Sequence, residues 1–195
     1  MAERIPELTI VIPCRETENA ETTLLSLSRQ SYQDFETLVV PDQGKGSNWA
    51  RNEGFKSVES EYVLFSDNDI NWKSNALETM MGVLKATPKA SYCYGRYRIN
   101  NQIWCHKAWD PVELKRENYI STMSIIRSKD FPGFDENIKR LQDWDLWLTM
   151  LEQGKRGVYC EDLIFETLEK PGISHDNKEI TYLDAILTVR KKHNL

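Results

Sequence analysis

The stretch Tyr62-Val63-Leu64-Phe65-Ser66-Asp67-Asn68-Asp69 sets the fold class, because an unbroken apolar run passes directly into two carboxylates one residue apart. A strand with no polar position is covered on both faces, as in a parallel sheet packed between helices. Toward the N-terminus a short apolar run ended by proline recurs at residues 8–13 (LTIVIP), and a further strand is expected at 35–40. Between these two, residues 19–30 fit a helix with Ala20, Leu24, Leu27 and Ser28 on one face. Residues 47–58 fit a second helix, opening with Ser47 as its cap. Strand and helix thus alternate three times, which predicts an α/β fold with helical crossovers and ligands gathered at the carboxyl ends of the strands.

Beyond residue 70 the order is less regular. A helix is expected over 75–85, an exposed strand over 91–99, and a strand ending in a short turn over 119–127. Residues 143–153 form a clear amphipathic helix closed by Gly154, followed by a strand at 157–160 and a closing helix at 179–192 with a basic last turn.

A length of 195 residues suits one domain with one substantial core. The net charge of -5 speaks against nucleic acid as a partner, since a polyanion calls for a concentrated basic surface. No apolar run approaches the ~20 residues that span a bilayer, and MAERIPELTIVIP lacks the zones of a signal peptide. The expectation is a cytoplasmic protein without an integral membrane segment. Cys14, Cys93, Cys105 and Cys160 are scattered without zinc-finger spacing, so free thiols are expected.

Three places carry chemistry. Asp67 and Asp69 at a strand end offer hard oxygen ligands for Mg²⁺ or Mn²⁺, which would neutralise a leaving diphosphate; an Asx turn that merely closes the strand is the competing reading. The loop from Asp42 through Gly44, Lys45 and Gly46 enters a helix carrying Arg51, which suits an anion, with Asp42 free to accept from a base ring nitrogen. It matches neither a P-loop nor a GxGxxG fingerprint, and Arg51 could equally pair with a carboxylate. Asp143, in Gln142-Asp143-Trp144-Asp145, reads either as an N-cap or as a general base whose pKa is raised by neighbouring aromatics. Asp145 suits the helix dipole. His175, in a turn-rich stretch, is a candidate third metal ligand or an ordinary surface histidine; His106 and His193 have no such context. Trp104 and Trp109, on an expected loop, could stack on sugar faces.

Taken in order, VIPCRE, FETLVVPDQGKGSNWARNEG, EYVLFSDND, FPGFDENIKRLQDWDLWLTMLEQG and the late His175 resemble family 2 glycosyltransferases of the GT-A fold. The resemblance implies a three-layer α/β/α sandwich around a central mixed, mostly parallel sheet. It implies a single catalytic domain over 1–195, with a nucleotide-binding half (1–100) and an acceptor and catalytic-base half (101–195). Pro13, Arg15, Glu16, Asp42, Arg51, Asn52, Asp67 and Asn68 then face a nucleotide-sugar donor, most simply a UDP-sugar. Asp67, Asp69 and His175 hold Mn²⁺ or Mg²⁺, and Asp143 is the base of an inverting transfer to a glycan, lipid-linked or other hydroxyl acceptor.

The sequence departs from the family pattern at Pro41-Asp42-Gln43-Gly44, where many members show DDGS, and at Gln142, which removes a like charge beside the base. The short tail after His175 is expected to exclude a processive synthase, and its apolar positions would allow a homodimer. A sugar-phosphate nucleotidyltransferase is the alternative enzyme, but CRETEN stands where its glycine-rich loop would be. An inactive sugar-nucleotide or glycan-binding protein is a third reading, opposed by the presence of Asp67, Asp69 and Asp143.

Overall fold

Strand β1 (Leu8–Cys14) is buried along its whole length, with Leu8, Ile10 and Ile12 in one apolar layer and Val11 in the other. The alternation of side chains along a strand therefore supplies both faces of the sheet with core residues. The computed structural model describes residues 4–168 and 180–195. The elements after β1 are α1 (Glu21–Leu27), β2 (Phe35–Pro41), α2 (Ser47–Phe55), β3 (Tyr62–Phe65), β4 (Asn71–Trp72), α3 (Ala76–Ala86), β5 (Tyr92–Ile99) and β6 (Gln102–Trp104). They continue with α4 (Pro111–Arg116), β7 (Ile125–Arg127), a 3₁₀ turn (Ser128–Asp130), α5 (Gln142–Glu152), β8 (Gly157–Thr167) and α6 (Tyr182–Lys192).

The sheet has the order β2-β1-β3-β7-β5-β8-β4, with β6 paired to β5 beside that path. Strands β1, β2, β3, β5 and β8 all run one way, while β7, β6 and β4 are antiparallel to their neighbours. The sheet is mixed and helices cover both faces, as expected. Its carboxyl edge collects the ends of β1, β2, β3, β5 and β8, which is where a crossover fold leaves room for ligands. One layer packs α3 on Leu8, Ile10, Leu64 and Cys93; the other packs α5 on Val63, Tyr92 and Tyr94.

Helix α5 is held by its indoles. Trp147 stacks on Tyr92 at 4.4 Å and donates from Nε1 to the Ile120 carbonyl at 3.0 Å, and Trp144 Nε1 donates to the Leu114 carbonyl at 2.6 Å. Both rings are buried with their single donor satisfied, so α5 has one seating beneath α4 and the 118–124 loop.

Helix α2 lies so close to the sheet that a Cβ on Gly54 would come within 2.4 Å of Val11 Cγ1 and 3.0 Å of Val40 Cγ2. Gly54→Ala gains about 1 kcal/mol of helix propensity but overpacks a stiff, fully buried valine, at a cost of about 1–3 kcal/mol. We expect the variant to unfold several degrees lower in a thermal melt.

Several expectations require correction. The buried side of α1 is Ala20, Thr23, Ser26, Leu27 and Gln30, whereas Leu24 and Ser28 face solvent. The cause is polar. Thr23 Oγ1 donates to the Asp67 carbonyl at 2.8 Å and accepts from the Ile70 amide; Ser26 Oγ accepts from the Trp72 amide; Gln30 Nε2 donates to the Lys73 carbonyl at 2.7 Å. Helix α1 thus grips the segment that follows β3. Ser47 is the first helical residue of α2 rather than its cap; Gly46, at φ 97°, fills that position. Strand β5 is internal rather than exposed, because β7 and β8 flank it. Over 119–127 only Ile125–Arg127 is strand. Helix α4 went unread although Asp110-Pro111 signals it: Asp110 Oδ1 accepts from the Val112 and Glu113 amides.

Candidate active site

Strand β3 ends where α2 presents Arg51, and the two elements meet in an ion pair. Arg51 Nη2 lies 2.7 Å from Asp67 Oδ1; Arg51 is 3% exposed, whereas the Asp67 side chain is 42% exposed. The guanidinium also donates from Nη1 to Asn48 Oδ1 at 3.2 Å and lies 5.2 Å from the centre of the Phe134 ring. Asn48 is itself fixed, donating from Nδ2 to the Asp135 and Ile138 carbonyls. A buried cation therefore stands behind the carboxylate and aims it at the open edge. Asn68 Nδ2 donates to Glu18 Oε2 at 2.9 Å, and the partly buried Asp69 accepts through its carbonyl from Thr167 Oγ1.

The donor set at this edge is hard oxygen, from Asp67 and Asp69. Among the described residues no three His, Cys, Asp or Glu side chains converge into a closed metal site. That composition fits Mg²⁺ or Mn²⁺, which take one or two protein carboxylates and fill the remaining positions with water and phosphate oxygens. His175 lies outside the described residues.

Beside these carboxylates, at the ends of β1 and β2, a cleft of about 380 Å³ is lined by Arg15, Glu16, Thr17, Asp42, Gly44 and Gly46. Its floor follows from an Asx turn, in which Asp42 Oδ1 accepts from the Gly44 amide at 3.1 Å and the Asp42 carbonyl accepts from Lys45 N at 2.8 Å. Gly44 and Gly46 both have positive φ, so the chain turns there without side-chain obstruction. Pro13, next to last in β1, lies opposite Val40, and Lys45 lies 4.1 Å over the Trp49 ring. Asn52 is turned elsewhere: its amide donates to the Phe134 carbonyl and Glu136 Oε1, while Oδ1 accepts from the Phe134 amide at 2.8 Å. It fastens the loop ahead of α5.

Asp143 occupies the first turn of α5 and is not its cap. The cap position is Leu141, held in the left-handed region at φ 61°, a costly conformation for a branched side chain. Asp143 Oδ1 accepts from the Trp144 amide at 2.9 Å. Burial pushes the Asp143 pKa above the ordinary carboxylate range, against the opposing pull of the Asn118 side chain, the Trp144 amide and the Arg51 charge. Tyr97 feels the same carboxylate: burial first, then the charge of Asp143, keeps its hydroxyl protonated. Asp143, Arg51, Asn118 and Tyr97 therefore belong to one electrostatic neighbourhood at the carboxyl edge.

Comparison with known proteins gives similarities to glycosyltransferases. Residues 41–129 match the family described as Glycosyl transferase family 2. That match spans a little under half of the chain. A UDP-Glc:alpha-D-GlcNAc-diphosphoundecaprenol beta-1,3-glucosyltransferase, WfgD of Escherichia coli, is 22% identical over 177 residues, covering 74% of this chain and 70% of its own. An uncharacterized glycosyltransferase of Haemophilus influenzae is also 22% identical, over 75% of this chain and 62% of its own. Among solved structures, S. aureus TarS 1-349 in complex with UDP-GlcNAc superposes with a TM-score of 0.76 at 16% identity, covering 96% of this chain and 65% of that one. The mannosyltransferase PcManGT from Pyrobaculum calidifontis, in complex with GDP-Man and Mn²⁺, gives 0.65 at 15% identity, over 88% of this chain and 59% of that one. This likeness shows the GT-A fold. The chain spans less than two thirds of the length of these solved relatives.

Three further sequence expectations change. Asp145 is buried and serves as an anchor rather than a dipole partner: Lys192 Nζ lies 2.7 Å from its Oδ1 and His193 Nε2 lies 2.9 Å away, so α6 is clamped across α5. His193 completes the clamp through Nδ1 at 2.8 Å from Glu152 Oε1. Trp109 sits at the opposite, amino-terminal edge, donating to the Tyr92 hydroxyl at 3.0 Å and packed by Arg156, beside a second cleft of about 520 Å³. Trp104 lies on β6, not on a loop, and stays at the carboxyl edge opposite Tyr97. Asn118 and Tyr97 escaped the sequence reading because neither stands at a motif spacing from Asp143; only the loop before β7 and the end of β5 bring them there. The four cysteines are free and buried, as expected. No helix among the described residues is long and apolar enough to cross a membrane.

Proposed function

We propose that this chain transfers a sugar, with inversion, from a nucleoside diphosphate sugar to an acceptor hydroxyl. The observation that carries the proposal is the convergence at one sheet edge of a carboxylate pair backed by a buried arginine, a cleft floored by an Asx turn, and the partly buried carboxylate of Asp143. UDP is the favoured nucleotide, since TarS was solved with UDP-GlcNAc and WfgD is named for UDP-Glc. The nucleotide-binding half (1–100) holds the donor in the cleft of Arg15, Glu16, Thr17 and Asp42, and the half from 101 to 195 supplies the base.

Asp143 takes the proton of the acceptor hydroxyl. The oxygen attacks the anomeric carbon from the face away from the diphosphate, whose bond to that carbon breaks with the electron pair leaving on the diphosphate oxygen. Arg51 holds Asp67 in place through this step. Asp67 and Asp69 would hold Mg²⁺ or Mn²⁺, which supplies charge neutralisation for the departing diphosphate. Asn118 and Tyr97 orient and surround the base without themselves exchanging a proton.

The test is ligand-dependent thermal stabilisation with UDP-glucose, UDP-GlcNAc, GDP-mannose and the free nucleotides, each with and without Mn²⁺. A ligand at a hundredfold excess over its Kd stabilises by about 2.7 kcal/mol, so a Tm rise of about 5–10 °C is expected for at least one UDP compound, and only when Mn²⁺ is present. An unchanged Tm across the whole set would reject the donor assignment.

A further inference from the structure

None of the groups placed in the transfer lies at the amino-terminal edge of the sheet, yet the larger of the two described clefts opens there, at about 520 Å³ against about 380 Å³. Its mouth forms where β5 and β8 begin side by side. The Ser91 amide donates to the Arg156 carbonyl at 2.8 Å, which sets Arg156 next to the turn that carries Lys89. Other cations at this edge are matched: Lys155 pairs with Asp130, and Arg127 pairs with Glu61 at 3.4 Å. Lys89 and Arg156 are exposed and have no carboxylate at ion-pairing distance among the described residues. In a chain of net charge -5, two unmatched cations on one cleft make a local positive field.

The cleft is also preformed. Arg156 lies 5.3 Å over the Trp109 ring, and that indole is fixed by its donation to the Tyr92 hydroxyl at 3.0 Å. A Cβ on Gly157 would come within 2.5 Å of Tyr92 and 2.8 Å of Trp109, so the backbone that carries Arg156 is seated directly on these rings. A guanidinium held over an indole keeps N–H groups free for two oxygens of one anion. Glu161 lines the same cleft five residues further along β8, where the strand bulges between Cys160 and Leu163. Its carboxylate opposes a second anionic group there and can accept from hydroxyls. Trp109 and Tyr159 supply the apolar lining that a small-molecule site of this volume needs.

We infer that this cleft binds a phosphomonoester of a polyhydroxy compound, in the manner of a sugar phosphate. The phosphate sits between Lys89 and Arg156, and the neutral, hydroxyl-bearing body extends toward Glu161. Charge selects phosphate over carboxylate, because a phosphomonoester carries about -1.5 to -2 at neutral pH and so matches two cations, whereas a carboxylate matches one. The site is separate from the donor cleft, and the inference stands or falls independently of the transfer reading.

The test is calorimetric titration of the full chain in metal-free buffer, where no ion at Asp67 and Asp69 can hold a phosphate. The probes are glucose 1-phosphate, glucose 6-phosphate, glycerol 3-phosphate, inorganic phosphate, glucuronate and glucose. At least one of the three phosphomonoesters is expected to bind, with inorganic phosphate and glucuronate about tenfold weaker and glucose silent. Arg156→Gln is expected to weaken that phosphomonoester about tenfold and Lys89→Gln about fivefold, each with a Tm within about 2 °C of the parent because both side chains are exposed. Arg15→Gln, in the donor cleft, is expected to bind it within about twofold of the parent. Binding that survives Arg156→Gln, or that is lost in Arg15→Gln, would place the phosphate elsewhere and overturn the inference. Equal binding of glucuronate or of inorganic phosphate, or no binding by any phosphomonoester, would overturn it too.

Discussion

Asp143→Asn is expected to lower kcat by about 10²–10⁴-fold while the protein stays folded, because the amide preserves the shape of the site but cannot accept the proton. The raised pKa adds two signs that can be checked. Transfer needs the ionised base, so activity should fall as pH drops through a value above the ordinary carboxylate range, with the circular dichroism unchanged. For stability the direction is opposite to that of a salt-bridged aspartate. A carboxylate whose folded-state pKa exceeds its unfolded value favours folding below the unfolded pKa, and that contribution is lost as pH rises through the folded pKa. At neutral pH the ionised Asp143 is therefore a burden on the fold, and Asp143→Asn should melt higher than the parent, an advantage that vanishes in acid. A variant that lost activity and melted lower would point to a structural role instead. A site destabilised for its chemistry is the commoner trade between stability and function.

Asp67→Ala should produce the largest loss of stability. It removes the partner of Arg51, whose guanidinium is buried and would be left without a counter-charge. Stranding a buried charge costs about 3–5 kcal/mol; because the Asp67 side chain is 42% exposed and solvent already screens it, about 2–3 kcal/mol is the better expectation. In a chain of this size that lowers Tm by roughly 5–10 °C. The double variant Arg51→Met/Asp67→Ala should recover most of the loss, since a methionine can fill the space beside Phe134 without a charge to strand. Thermal melts of both proteins settle the point, and equal destabilisation in both would show that the pair matters through packing rather than charge. Neither variant is expected to transfer sugar, so activity assays on Asp67 alone would mix a folding defect with a chemical one.

The fold was legible where the chain is monotonous. Residues 8–13 and 62–65 are apolar runs bounded by turns and, with the strand at 35–40, alternate with helical segments; such a pattern has few alternatives to crossover-linked parallel strands. The positions of Asp42, Asp67 and Asp143 at the carboxyl edge were legible for the same reason, since each directly follows a strand or opens a helix there. Misreadings arose where burial is polar or two-sided. Helix α1 turns Thr23, Ser26 and Gln30 inward because they satisfy the backbone behind Asp67, and no hydrophobic periodicity reports that. Strand β5 looked exposed because its tyrosines, arginines and glycine read as polar; their partners on β7 and β8 are distant in sequence.

The sequence by itself determined the covalent inventory and the local pattern: which carboxylates end strands, which loop can turn through glycine, and which helix follows. Only the tertiary structure decided how these meet. Arg51 became the buried partner of Asp67, Asn118 and Tyr97 became neighbours of Asp143, Asp145 became the anchor of α6, and Trp104 was separated from Trp109 by the full height of the sheet. The physical reason is that periodicity records only whether a side chain is buried, whereas the identity of its partner depends on strand register and helix seating, which are set by contacts between residues far apart in the chain.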